Sequence, residues 1–183
     1  MTSTAAGLST ASPDEEGGAV AVGDAVVYRA HGVGRVVARE HGDVGGATRE
    51  FLVIDLATGL RVRLPVEDAP RRLRAVADDA DIETVARVLA ADPGERERAW
   101  PKRLQVSKEK LAAGCAAELA ELVRDGRLAE LAGNGASRLS HTERALYMQA
   151  RELLAREIAW ARRVEVDQVE VWIDARIGAA GEA

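Results

Sequence analysis

The side chains able to do covalent or metal chemistry are few and scattered. His31, His41 and His141 show no ligand spacing such as two histidines four apart, so no zinc-type site is expected. His31 and His41 fall in or near expected turns and read as solvated loop histidines. Cys115 is the sole cysteine, which excludes an internal disulfide and a cysteine-based metal cluster. It opens a helix, where a thiol is more acidic, but no histidine lies near it in sequence to act as a base, and it reads as a buried structural thiol. Gly32-Val33-Gly34 lacks the Lys-Ser/Thr tail of a phosphate loop and joins two strands where such a loop would open a helix. The carboxylate pairs Glu15-Glu16 and Asp78-Asp79 lie in flexible or exposed contexts. Nothing here specifies a catalyst, a cofactor or a metal.

One constellation has a different character. Trp100 stands between Arg96 and Arg98 on one side and Lys102 and Arg103 on the other. An aromatic wedge among cations suits a minor groove or a strand junction, where the cations hold phosphates and the ring blocks or unstacks a base step. The other reading is that Trp100 packs in a helical core with solvated charges around it. Trp160 and Trp172 lie on apolar helical stripes and read as core.

The elements that must position these residues change character once along the chain. Residues 1–19 are Ser/Thr/Ala/Gly-rich with one acidic cluster, and read as a disordered tail. Residues 20–76 carry short β-prone runs: Ala25–Tyr28, Arg35–Arg39, Glu50–Leu56 and Leu60–Leu64. Turns are expected at Ala30–Gly34, Gly42–Gly46 and Ala57–Gly59. In Leu60-Arg61-Val62-Arg63-Leu64 the period of two sends three apolar side chains to a core and two arginines the other way. Pro65 ends that strand, and Arg71–Arg74 reads as a short last one. These signals predict a small antiparallel β-barrel of SH3-like or Tudor-like size.

Residues 77–183 read as an all-α bundle, so the fold class is α+β. Asp81 is the expected N-cap of a helix through Leu89, and Asp92-Pro93-Gly94 stops it. A short helix through Lys110 and Leu111 ends near Gly114, and another covers Ala116 to Leu131. Ser140-His141-Thr142-Glu143 is a capping box, with Leu146, Ala150, Leu153, Leu154 and Ile158 recurring behind it at helical spacing. A last helix aligns Val169, Trp172 and Ile173.

Composition narrows the partners. The chain has 183 residues, 47% hydrophobic but only 3% aromatic, so its core is built of Ala, Leu and Val. With 25 Lys+Arg against 30 Asp+Glu its formal charge is −5, too acidic for a uniform nucleic-acid coat. Only residues 20–75 and 93–112 are net positive, and partners are sought there. There is no apolar run of about 20 residues to span a bilayer, and the opening residues lack the basic start of a signal peptide. A soluble, cytoplasmic protein is expected.

Several motifs together carry a resemblance. Gly23–Tyr28, His31-Gly32-Val33-Gly34 and Val62-Arg63-Leu64-Pro65 look like the amino-terminal half of the CarD/CdnL bacterial transcription regulators. Trp100 with Arg103, Lys110-Leu111-Ala112 with Gly114, Leu122–Asp125 and Leu139-Ser140 with Glu143 look like the carboxy-terminal half. Order and gaps fit from about Val20 to Ile177. The resemblance implies a Tudor-like domain docking on the RNA polymerase β subunit through Arg63, with Arg61 and Leu64 on the same strand. It implies a helical domain that meets promoter DNA non-specifically in the minor groove. There the tryptophan matching Trp100 wedges at the upstream edge of the bubble and stabilises the open complex, with Lys102, Arg103 and Arg144 at the basic positions. It further implies a non-catalytic, cofactor-free protein that joins the nucleoid through polymerase. A monomer is expected, with the barrel edge as the place where self-association would occur.

The chain departs from the family pattern at several positions. Arg29 replaces a proline, and Gly42 replaces a second polymerase-contacting arginine found in some members. Pro101 follows the tryptophan, Leu104 replaces an aromatic, Gln105 replaces a lysine, and Gly126 interrupts an apolar helical position. The alternative they imply is a divergent paralogue, an adaptor on polymerase without productive DNA engagement.

Overall fold

A computed structural model describes residues 20–93, 99–132 and 139–178. The expected tail at 1–19, and Arg96 and Arg98 beside Trp100, lie outside the described residues. The first part is an antiparallel sheet of β1 (Ala25–Tyr28), β2 (Gly32–Val44), β3 (Ala47–Leu56), β4 (Arg61–Pro65) and β5 (Leu73–Ala75), in spatial order β4-β3-β2-β1-β5. Val26, Val36, Leu52, Ile54, Leu56, Leu64 and Leu73 form its core, together with Ala69.

The sheet is open. Among the described residues β4 pairs only with β3 and β5 only with β1, so the expected antiparallel strands are present and their closure into a barrel is not seen. Pro65 has no N–H to extend the ladder, and the chain spends Val66–Asp68 in a 3-10 turn and Ala69–Arg72 in a single helical turn, α1, before re-entering the sheet. The β2–β3 hairpin is also longer than its sequence suggests. Pairing continues through Gly42↔Arg49 and Val44↔Ala47, so Gly42 and His41 lie on a strand. Only Gly45 and Gly46 turn, both at positive φ, as a two-residue hairpin connection requires. On β4 the expected alternation holds for Val62 and Leu64, but Leu60 falls in the preceding turn and is exposed.

Five longer helices follow: α2 (Asp79–Ala90), α3 (Trp100–Ala113), α4 (Ala116–Leu131), α5 (His141–Arg162) and α6 (Val166–Gly178). The N-cap of α2 is Asp78, three residues before the expected Asp81. The two form a reciprocal box in which Asp81 N–H donates to Asp78 Oδ1 (2.8 Å) and Asp78 N–H to Asp81 Oδ2 (3.2 Å). Ser140 and Glu143 cap α5 in the same way. Ile82, Val85 and Leu89 of α2, Leu119 and Val123 of α4, Leu154 and Ile158 of α5, and Ile173 and Ile177 of α6 share one core. α3 buries only Leu111. Cys115, just before α4, is exposed, contrary to the expectation of a buried thiol.

Two glycines answer to close approach. Gly114 ends α3 in the left-handed region, and a Cβ there would lie 3.3 Å from Cα of Arg29. Arg29 itself donates from Nη1 to the Ala113 carbonyl (3.2 Å), so the arginine that replaces the family's proline closes the end of α3. At Gly126, inside α4, a Cβ would meet the Tyr147 ring at 2.4 Å. The apparent interruption is therefore the seat of the buried Tyr147.

Sheet and helices are joined by a polar clasp. Glu157 of α5 is 1% exposed. Its oxygens accept from Arg74 Nη1 (2.5 Å) and Nη2 (2.7 Å) of β5 and from the Ala77 N–H (3.0 Å). Arg74 also donates through Nε and Nη2 to the Gly114 carbonyl, at 2.8 and 2.6 Å.

Two stability outcomes follow. Gly126→Ala gains helix propensity of about 1 kcal/mol, yet denaturant unfolding is expected to show a net loss of about 1–3 kcal/mol from overpacking against Tyr147. Gly178→Ala, where a Cβ meets nothing within 4 Å, is the neutral control. Glu157→Ala leaves Arg74 without its carboxylate and is expected to cost about 3–5 kcal/mol in the same measurement.

Candidate nucleic-acid and protein interfaces

The wedge candidate stands at a helix start. Ala99 is extended, Trp100 is the first residue of α3, and Pro101 occupies the first turn, where a missing N–H costs no hydrogen bond. The Pro101 departure is thus compatible with the helix it opens. Trp100 is 45% exposed, and its Nε1–H donates to Ser140 Oγ at 3.2 Å. The core-packing reading of Trp100 does not hold. Trp160 and Trp172 are half-buried. Arg35 lies over the Trp160 ring, and Arg162 and Arg176 lie over that of Trp172.

One turn further along α3, Arg103 repeats the contact. Its Nε lies 3.0 Å from Glu143 Oε1. Trp100 and Arg103 at i, i+3 therefore meet Ser140 and Glu143 at i, i+3, and the amino-terminal ends of α3 and α5 converge. The first turn of α3 contains no acidic residue, so its dipole end adds to the local positive potential. Glu143 is deeply buried. Burial opposes its ionisation, but the Ser140 backbone N–H, the Ser140 hydroxyl and the Arg103 guanidinium outweigh it and hold the carboxyl below its ordinary range. Lys102 is exposed on α3. Arg144, next to Glu143, has a largely exposed side chain whose Nη2 lies 3.0 Å from Glu130 Oε1 of α4. Leu104 is half-buried, and Gln105 donates to Glu109 (2.9 Å) on the outer face of α3. The structure thus gathers Trp100, Arg103 and Arg144 at one end of the helices and places Lys102 on the same first turns of α3.

A cavity of about 610 Å³ opens between α3, α4 and α5, lined by Val106, Leu122, Leu128 and Tyr147 among others. The cations on its wall face carboxylates: Arg103 with Glu143, Lys110 with Glu121 (2.6 Å) and Arg124 with Asp125 (2.8 Å). Among the described residues no group of His, Cys, Asp and Glu is arranged to hold a metal ion. No described helix is long and apolar enough to cross a membrane.

The second candidate surface is the β4 edge. Arg61 binds Asp55 through two bonds, Nε to Oδ1 (2.6 Å) and Nη2 to Oδ2 (2.7 Å). The Arg61 hydrogen bond holds the Asp55 carboxyl below its ordinary range. Arg63 lies over the Phe51 ring, 4.8 Å from its centroid, with Nε 3.3 Å from Glu40 Oε2. A Cβ at position 42 would be 3.0 Å from Arg63 Nη2 and 3.4 Å from the Phe51 ring. Gly42 therefore sits beside the guanidinium, and its missing side chain leaves room for that stacking. Leu64 turns the other way and is 4% exposed. Its side chain belongs to the sheet core and is not on the surface with Arg61 and Arg63. What it presents at the edge is backbone.

Sequence reasoning missed the partners: Ser140 for Trp100, Glu130 for Arg144, and Phe51 and Glu40 for Arg63. Only the capping role of Ser140 was visible in advance, because its contact with Trp100 spans 40 positions.

Two family models match this chain. The CarD-like/TRCF RID domain covers residues 20–77, and the CarD C-terminal domain covers residues 84–174. Both are non-catalytic transcription-factor domains, and their order here is that of the sheet followed by the helices. Matched over both parts and most of its length, the chain belongs to the CarD/CdnL family and is a transcription factor that interacts with RNA polymerase.

Proposed function

We propose that residues 20–76 dock on the RNA polymerase β subunit through the β4 edge, and that residues 77–183 stabilise the promoter open complex with Trp100 wedged at the upstream edge of the bubble. The observation that carries this reading is the half-exposed indole at the first turn of α3, beside two convergent helix starts. An indole held there loses little rotamer freedom on entering a base step, and it leaves apolar surface to bury. Lys102, Arg103 and Arg144 supply positive charge on the phosphate side, and the contact carries little base information.

The mechanism is a population shift. A factor that binds the melted promoter more tightly than the closed one moves the equilibrium by that difference in affinity. About 1.4 kcal/mol changes the ratio tenfold, a scale that one buried ring and a few phosphate contacts can supply. Because the chain is acidic overall, its affinity for free DNA is low, and attachment through the sheet supplies effective concentration at the promoter. On the docking side, Arg61 and Arg63 offer guanidinium groups to carboxylates, while the unpaired edge of β4 offers backbone donors and acceptors to a partner strand. The protein works as a monomer and reaches the nucleoid through polymerase.

Two measurements test this. Trp100→Ala is expected to bind polymerase normally and to shorten the lifetime of the promoter open complex about tenfold, read by competitor challenge; unchanged lifetimes sink the wedge. Arg63→Glu sets a second carboxylate beside Glu40, and is expected to lose most of its recovery in a pull-down with a β-subunit fragment. Equal recovery of variant and wild type removes the docking site. An adaptor without DNA engagement would bind the β fragment yet give no promoter protection at the bubble edge.

A further inference from the structure

Two of the proposed DNA-facing arginines are held by carboxylates, but in unlike settings. The Arg103–Glu143 pair is enclosed, with side chains 16% and 6% exposed, and Glu143 is tied to Ser140 as well. Taking Arg103 away from it would remove one of the groups that hold a buried carboxylate ionised. The Arg144 side chain is 66% exposed and that of Glu130 21%; the Glu130 Oε1 facing Arg144 is buried, but its Oε2 has a second cation in reach, Arg127 Nη1 at 3.8 Å. Arg127 is itself 3.5 Å from Asp174, which accepts two bonds from Arg151, Nη1 at 2.8 Å and Nη2 at 3.0 Å. Those bonds hold the Asp174 carboxyl below its ordinary range. A chain of alternating charges thus runs from Arg144 through α4 to α6.

Resting on the function proposed above, we propose that Glu130 is an exchangeable counter-ion for Arg144, which a DNA phosphate must displace and which therefore lowers the affinity of this protein for free DNA. When phosphate takes Arg144, Glu130 keeps Arg127, so the exchange leaves no carboxylate without a cation. The Arg103–Glu143 pair is instead enclosed, with both side chains turned away from solvent. Arg103 therefore stays with Glu143 and acts as a positioning residue that fixes the start of α3. The helical part is thus built to engage DNA weakly until polymerase brings the two together.

The experiment measures fork-junction DNA binding by the full chain across a salt series, with thermal unfolding as a check on folding. Glu130→Gln is expected to tighten binding about two- to fivefold, the scale of an exposed ion pair. The log K against log salt slope is expected to stay the same, because Arg144 takes its phosphate in both proteins. Arg144→Gln is expected to weaken binding, and Glu130→Gln added to it to change nothing further. Arg103→Ala is expected to shorten open-complex lifetimes while leaving the salt slope unaltered. An unchanged affinity in Glu130→Gln, or an equal gain with Arg144 already removed, overturns the counter-ion role. A slope reduced by about 1 in Arg103→Ala makes Arg103 a phosphate contact instead. If Trp100→Ala still shortens open-complex lifetimes in these cases, the wedge stands and only this inference falls. If neither Trp100→Ala nor Arg144→Gln alters DNA binding or lifetimes, the functional reading itself falls.

Discussion

Glu157 is a carboxylate with almost no access to water, and the arrangement of the molecule turns on how it is satisfied. Arg74 reaches it from the last strand with two N–H groups, and the backbone N–H of Ala77 adds a third donor. The same guanidinium donates to the Gly114 carbonyl at the corner between α3 and α4. A buried ion pair of this kind adds little net stability, because desolvation offsets most of the attraction. What it supplies is direction: a planar fork has one good orientation against a carboxylate and a carbonyl together. Strand β5, the α3–α4 corner and the middle of α5 are therefore held in one relation. That relation sets the β4 edge, with Arg63, against the helix that begins at Trp100.

α3 is fastened differently from its neighbours. Leu111 is its one buried residue, and the remaining ties are polar: Trp100 to Ser140, Arg103 to Glu143 and Lys110 to Glu121. A helix that is to carry the proposed wedge would need its apolar surface outside, and so could not be anchored by burying that surface. Polar ties at positions 100, 103 and 110 solve the problem, and the enclosed Glu143 makes the middle one firm. The same end of the helices holds Arg144 loosely, on the rim, where its carboxylate has a second cation. In this reading, firm placement of the ring and an adjustable charge beside it coexist because the two arginines differ in exposure, 16% against 66%.

At the sheet edge, one absent side chain shapes the surface. Gly42 lies against Arg63, and with no Cβ there the guanidinium settles on Phe51, next to Glu40. The two positions that matter for polymerase contact in the resemblance are thus spatial neighbours here. Loss of one arginine changes the posture of the other. Docking through this edge, as proposed above, would rest on a single stacked cation and on unpaired strand backbone, with the apolar side chain of Leu64 committed inward.

Local chemistry made much of this legible in advance. Period-two alternation marked β4, the Ser140–Glu143 box marked the start of α5, and Gly114 marked the end of α3. The ordered motifs from Gly23 to Glu143 marked the family. Features that depend on a single turn of chain are written in residue types, because propensity and capping act over three or four positions. Other features failed to show because their causes lie far away in sequence. Gly126 reads as a flaw in an apolar face until Tyr147 is placed against it. Arg29 reads as a lost proline until the Ala113 carbonyl is beside it. The hairpin turn was placed too early, since strand pairing across β3 decides how far β2 continues. Closure of the barrel was expected from strand number, yet the helical turns after Pro65 leave both edges unpaired. The amino-acid sequence alone determined the succession of strands and helices, the family and the residues to test. Which arginine is enclosed and which is exposed, and that the indole at 100 faces solvent, were decided only when distant carboxylates and a distant serine were brought within a few ångströms, because burial and pairing belong to the folded chain.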